Sequence, residues 1–188
     1  CRGDFTLPEY MPGWDLQSEN YPLSEAFDHA FRHIVEENSK INKDEARNRE
    51  LTAYGRCDFR NGTDTVPAYE QIQLYNCYYM RRAYSAARAL FESNGGWLFS
   101  AVRNLSGRVV FCDLSYETGA SGLAFIDACR RLPHLDLTYM GIYPTKEMDD
   151  IALQFFQSEA YRHATHCFYP RISAVPTSFW RHTLFYLN

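Results

Sequence analysis

Apolar residues recur along this chain with two different periods, and the change from one to the other divides it. From Ser24, the positions Phe27, Ala30, Phe31 and Ile34 are spaced by three and four while His29, His33, Glu36 and Glu37 fall on other faces, which predicts an amphipathic helix. Before it, Pro8, Pro12, Gly13 and Pro22 stand among aromatics, a composition that breaks regular structure and predicts an extended arm. A polar stretch over residues 42–54 reads as a second, more exposed helix, and residues 55–66, with Asn61-Gly62, read as a loop. Pro67 can open the next helix because its missing N–H costs nothing in a first turn, and Ile72, Tyr75, Tyr79, Ala83, Ala86 and Leu90 continue it. Asn94-Gly95-Gly96 closes that helix, residues 97–105 form a short apolar segment, and Ser106-Gly107 turns the chain.

After that turn the pattern is strand, loop, helix, and it repeats. Val109-Val110-Phe111-Cys112 is a compact β-favouring run, followed by a Gly-containing loop and by Ser121, Ala124, Phe125, Ala128 and Leu132 at helical spacing. Residues 135–142 are strand-like again, Pro144-Thr145 is a helix start, and Met148, Ile151, Ala152, Phe155 and Phe156 make the next apolar face. A third strand is expected over residues 165–169. Two consecutive units of this kind imply parallel strands joined by right-handed crossovers. The expected fold is α/β: an N-terminal arm and helical region over residues 1–105, then a partial Rossmann-like parallel sheet over residues 106–188.

Composition narrows the function classes. A net charge of -4 with 22% charged residues excludes a polyanion binder held by bulk electrostatics, and Arg81-Arg82 and Arg130-Arg131 are only short pairs, so no strong nucleic-acid signal is present. Aromatics at 16% predict a ring-packed interior more readily than a base-stacking surface. The six cysteines are scattered without C-x-x-C or other ligand spacing, which argues against a zinc ribbon and for buried thiols. No apolar run approaches a membrane span and no signal peptide is recognisable, so a soluble, cytoplasmic protein is expected. Beginning at Cys1, the chain reads as processed or trimmed. Arg2-Gly3-Asp4 and the sequons at Asn61 and Asn104 are explained by chance.

In folds of this class, ligands lie beyond the carboxyl ends of the strands, which directs attention to residues 113–121 and to those just after Ile142. Glycines there admit a ligand to the backbone, a helix N-terminus offers free N–H groups, and an acid grips ribose hydroxyls. The text is Val109-Val110-Phe111-Cys112-Asp113-Leu114-Ser115-Tyr116-Glu117-Thr118-Gly119-Ala120-Ser121-Gly122, then Tyr139-Met140-Gly141-Ile142-Tyr143-Pro144-Thr145-Lys146-Glu147-Met148. It resembles the opening of a class I S-adenosylmethionine (SAM)-dependent methyltransferase, in which an acid and a G-x-G-x-G loop follow the first strand and a G-[IV]-D-x-S-x-x-M phrase closes the second. Asp113, Gly119, Gly141-Ile142, Thr145 and Met148 match; Ser115 and Glu117 replace the first two glycines, and Tyr143 replaces the ribose-binding acid. The resemblance implies SAM as cofactor, with Asp113, Ser115, Tyr116, Glu117, Gly119 and Tyr143 as its binding residues, Asp113, Ser115 and Gly119 shaping the methionine end and Tyr143 the adenosine end. The replacements leave open a methyltransferase-fold interaction module that has lost its ligand. Because room remains for only one or two elements after the second unit, a protein partner or the chain's own helices would complete the sheet.

A second resemblance leads elsewhere. Ser115-x-Glu117-Thr118-Gly119-x-Ser121 is similar to the phosphate loop of flavodoxin-like domains, which implies FMN as an alternative cofactor. His29 with His33, and His163 with His166, have metal-compatible spacing but no third ligand beside them, so no metal is expected. Tyr78, Arg82 and Tyr84 on the strong helix are candidates to close over a cofactor, as N-terminal helices do in methyltransferases. No Ser/His/Asp or Cys/His set is recognisable, and a hydrolase has no support.

Overall fold

The computed structural model describes residues 21–38, 44, 59–63, 66–114, 118–132, 134–142 and 145–186. The expected arm over residues 1–20 and nearly all of the expected helix over 42–54 lie outside the described residues. Ser24 caps helix α1 (Glu25–Phe31), its hydroxyl accepting the Phe27 N–H at 3.0 Å. The helix runs on into a π-helical turn, Arg32–Glu36, in which the Glu37 N–H reaches back five residues to the Arg32 carbonyl at 2.9 Å. Helix α2 (Ala68–Tyr75) starts after Pro67 as expected, passes through a second π-helical turn, Asn76–Met80, and continues as α3 (Arg81–Ser93).

Each π turn inserts one residue into the helical period and moves the buried stripe along by one. From the second of these turns onward the expected stripe of Tyr79, Ala83, Ala86 and Leu90 therefore lies to one side of the core. Met80 (0% exposed), Tyr84 (0%), Ala87 (3%) and Phe91 (8%) are buried in its place, and Leu90 is 47% exposed. In the first helix the same shift buries Val35, with Ile34 only packed against the core's margin. The apolar segment after Asn94 is helix α4 (Gly95–Asn104).

Strands β1 (Arg108–Asp113), β2 (Asp136–Ile142) and β3 (Thr165–Tyr169) are joined by α5 (Ala120–Cys129) and α6 (Lys146–Gln157). Thr145 caps α6, its hydroxyl accepting the Met148 N–H at 3.3 Å. All pairings are parallel, with Arg108 opposite Asp136 and Thr138 opposite Thr165. A fourth strand, β4 (Thr183–Tyr186), returns through 3₁₀ turns at Ile172–Ala174 and Thr177–His182 to pair with the other side of β1, giving the order β3-β2-β1-β4. This is a partial Rossmann-like α/β fold. β1 is buried at every position after Arg108, the near-continuous apolar run that a parallel strand covered on both faces requires.

Side chains alternate across the strands. Val109, Phe111, Leu137 and Tyr139 share one large core with Phe27, Tyr84 and Phe91 and with α5 and α6. Val110, Cys112, Met140 and Ile142 face the opposite side, covered by Val175, Phe179 and Trp180 of the β3–β4 connection. Rings dominate the main core, with Phe111 stacked on Phe125 at 4.3 Å and Phe27 on Tyr84 at 3.7 Å. No helix among the described residues is long and apolar enough to cross a membrane.

Candidate functional site

Because β2 and β3 lie on one side of β1 and β4 on the other, the chain reverses its direction of winding at β1. The carboxyl ends of β1 and β4 therefore flank a topological switch point, the usual ligand crevice of an open parallel sheet. Pairing persists just past the strands, where the Leu114 N–H donates to the Tyr186 carbonyl at 2.9 Å. Beyond it, Gly119 adopts a left-handed conformation (φ 80°, ψ 10°) and opens α5, with no side chain of its own to cap the first turn. A Cβ on Gly119 would be strained there and would sit 3.0 Å from the Phe156 ring. Thr118, immediately before it, is fully buried, and its hydroxyl has no hydrogen-bond partner.

Asp113 ends β1 on the face that carries Val109 and Phe111, turned toward α5. It is 2% exposed, and one carboxylate oxygen accepts from the Ser121 hydroxyl and from the Tyr139 hydroxyl, the latter at 3.1 Å. Tyr139, buried in the middle of β2, stacks on Phe156 of α6 at 4.5 Å, so α5, β2 and α6 meet around this carboxylate. Gly122 makes the approach possible: a Cβ on it would lie 2.2 Å from the Tyr139 ring.

Of the residues assigned to a cofactor, the structure brings Asp113 and Gly119 to one strand-to-helix turn. Ser115, Tyr116, Glu117 and Tyr143 lie outside the described residues. Tyr139, Gly122 and Thr118 were missed by the sequence reasoning. The small-residue run from Gly119 to Gly122 was the available signal for a close helix–strand contact, and a polar-tipped ring inside an apolar strand was the signal for Tyr139.

Tyr84 is not brought to this edge. Its ring packs on Phe27, and its hydroxyl donates at 2.5 Å to Asp127, two turns along α5 from Gly119. Asp127, 2% exposed in its side chain, also accepts from Ser24 at 2.6 Å, from Tyr161 at 2.8 Å and from the Arg130 guanidinium at 2.5 Å. Burial, then the negative charge of Asp127, pushes the Tyr84 and Tyr161 phenols well above the ordinary tyrosine value, which keeps both as donors. This knot ties the N-terminal helix to the sheet region.

Of the histidines paired by spacing, His33 Nδ1 lies 2.9 Å from Glu37 on an exposed face, and His166 stacks on Phe156 at 5.5 Å. Among the described residues no group of three or more metal-ligating side chains occurs. Burial pushes the thiol of Cys112 up to about 11 and that of Cys129 up to about 12, so neither is a nucleophile near neutrality. An apolar groove of about 420 Å³ runs along β4, between Phe185 and the end of α3 with α4. Its rim residues Leu90, Trp97 and Phe185 are 47%, 69% and 55% exposed. No family model, curated protein or solved structure matches this chain.

Proposed function

We propose that this chain is a methyltransferase-like α/β protein that binds an S-adenosyl cofactor at the carboxyl edge of β1, against the turn that opens α5. The observation that carries the reading is Thr118, a buried hydroxyl left without a partner at a helix N-terminus opened by a left-handed glycine, at the switch point of the sheet. A buried hydroxyl in that state costs about 1–3 kcal/mol, which a polar ligand group would recover. Helix N–H groups and a hydroxyl suit the cofactor's carboxylate. Bound SAM supplies an activated methyl group; the chain's part is to hold and orient it. Asp113 acts one step removed, positioning Ser121 and the first turn of α5. The positions that the resemblance assigns to cofactor contact are Ser115, Tyr116, Glu117 and Tyr143.

A second reading, the interaction module without ligand, is favoured by Asp113 itself, whose carboxylate is already engaged by Ser121 and Tyr139. The groove beside the sheet edge at β4 is then the surface that takes a protein partner.

Calorimetric titration of the purified chain with SAM and with S-adenosylhomocysteine separates the two. Micromolar binding of both is expected, weakened about tenfold in Thr118→Val, the loss of one hydrogen bond. Absence of heat or thermal shift at millimolar ligand supports the module, whereas a yellow protein that takes up FMN overturns both readings in favour of a flavin site.

A further inference from the structure

Leu184 and Tyr186 of β4 turn toward the main core, but on their outer side stand only the end of α3 and the start of α4, which leaves the apolar groove of about 420 Å³. Its walls carry the rings of Phe91, Trp97, Phe111, Phe125 and Phe185 and no charged residue. The polar side-chain atoms on them belong to Asn94, Thr183, Tyr186 and the Trp97 indole, and Asn94 and Thr183 donate to the carbonyls of Leu90 at 2.8 Å and Phe179 at 2.7 Å. β4 is the last strand of the described sheet on this side, so backbone N–H and C=O groups line the groove's outer edge. Apolar walls beside a strand edge suit an extended peptide segment, whose side chains enter the groove while its backbone keeps to the edge.

The chain has such a segment. Residues 1–20, outside the described part, carry Phe5, Leu7, Tyr10, Met11, Trp14 and Leu16, a density of large apolar side chains that calls for cover. Pro8, Pro12 and Gly13 stand among them and disfavour a helix. The point of attachment is close. Ser85 donates to the Tyr21 carbonyl at 2.9 Å, Arg88 donates to the Pro22 carbonyl at 2.8 Å, and the Tyr21 phenol donates to Glu92. At about 100° per residue these three positions of α3 share one flank, and Leu90 and Asn94, which line the groove, lie on the other. Passing half-way round a helix about 10–12 Å across takes about 17 Å of chain, and the seven residues from Trp14 to Tyr21 reach about 23 Å when extended. Tethering also holds the segment near the groove at an effective concentration in the millimolar range, an advantage that a separate partner lacks.

We propose that the groove beside β4 is the docking site of the chain's own N-terminal segment, residues 5–16, with Trp14 among its aromatic walls. The inference uses no residue of the β1–α5 turn and goes beyond the cofactor reading. A protein partner that binds this groove has to displace the segment first.

Photo-crosslinking of the full chain carrying p-benzoylphenylalanine in place of Trp14 is the test. Crosslinks within one chain, mapped by mass spectrometry to residues 90–98 and 183–186, are expected. Trp97→Arg puts a charge on a lining residue that is 69% exposed, a position where the fold tolerates it, and is expected to remove most of those crosslinks. Crosslinks that join two chains name a second copy as the occupant and overturn the inference. So do crosslinks to other parts of the surface, groove crosslinks that persist undiminished in Trp97→Arg, and the absence of any crosslinked product.

Discussion

Replacing Asp127 with alanine is expected to lower the stability of the fold by about 3–5 kcal/mol, seen as a fall in the urea midpoint at unchanged slope. The cost arises from what is left behind. Tyr84 and Tyr161 are both fully buried, and each donates to Asp127, so the substitution removes the carboxylate they share and leaves them only the Ser24 hydroxyl, 2.9 Å from that of Tyr84, in an apolar core. It also frees Ser24, the cap of α1, from its tie to α5. Asp127→Asn keeps one oxygen acceptor and is expected to lose about half as much.

The same knot sets the alkaline limit of the fold. The folded-state values of Tyr84 and Tyr161 are raised, so both phenols remain protonated in the native chain after the unfolded chain begins to lose its protons near the ordinary value of 10.0. Their contribution is fully present below pH 10 and is lost as the pH rises through the folded-state values. The two phenols together contribute about 2.7 kcal/mol per pH unit to the fall in stability above that point. The thiols of Cys112, Cys129 and Cys167, raised by burial from 9.0 to about 11, about 12 and about 11, begin the decline near pH 9 and add to that slope. Denaturation midpoints measured from pH 8 to 11 test this. Tyr161→Phe should remove one proton's share of the slope, and an unchanged slope would rule out the assignment.

Gly122→Ala is expected to destabilise by about 2 kcal/mol or more, although alanine is ordinarily favoured over glycine inside a helix by about 1 kcal/mol. The sign is decided by the Tyr139 ring, 2.2 Å from the new Cβ. That ring cannot turn aside, because its hydroxyl is bonded to Asp113 and its face is stacked on Phe156. Helix α5 must therefore lift from β2. Thermal melts of Gly122→Ala, Tyr139→Leu and the double variant form the test: removing the ring should make the alanine nearly neutral. If the two losses simply add, the contact is not the cause.

Several elements were legible in local sequence because their determinants are local. β3 was expected over residues 165–169, as found, and β1, β2, α5 and α6 were expected at their observed places. Ser24 begins its helix as a hydroxyl cap should, and so does Thr145. At the candidate site, Asp113 and Gly119 could be placed at the turn between β1 and α5. The inward aim of Asp113 could not, since it depends on Ser121 and Tyr139 standing opposite.

The two long helices show where a periodic reading fails. Counting by three and four assumes that the helix never gains a residue, and the π turns at Arg32–Glu36 and Asn76–Met80 each add one. The buried stripe therefore passes from Ile34 to Val35 and from Leu90 to Phe91. No single residue announces the insertion, which is held by packing between the two turns and α6.

The amino-acid order thus determined the alternation of strand and helix after residue 107, the parallel sheet, and the glycine turn that opens α5. An apolar run buried on both faces, a capping hydroxyl and a left-handed glycine each act within a few residues. Tertiary structure alone decided that four residues, Thr183–Tyr186, become a strand, that Asp113 faces inward, and that Asp127 gathers three hydroxyls and a guanidinium. A strand that short has no order of its own until β1 offers its free edge, and a buried carboxylate is tolerated only where donors from distant parts of the chain converge on it.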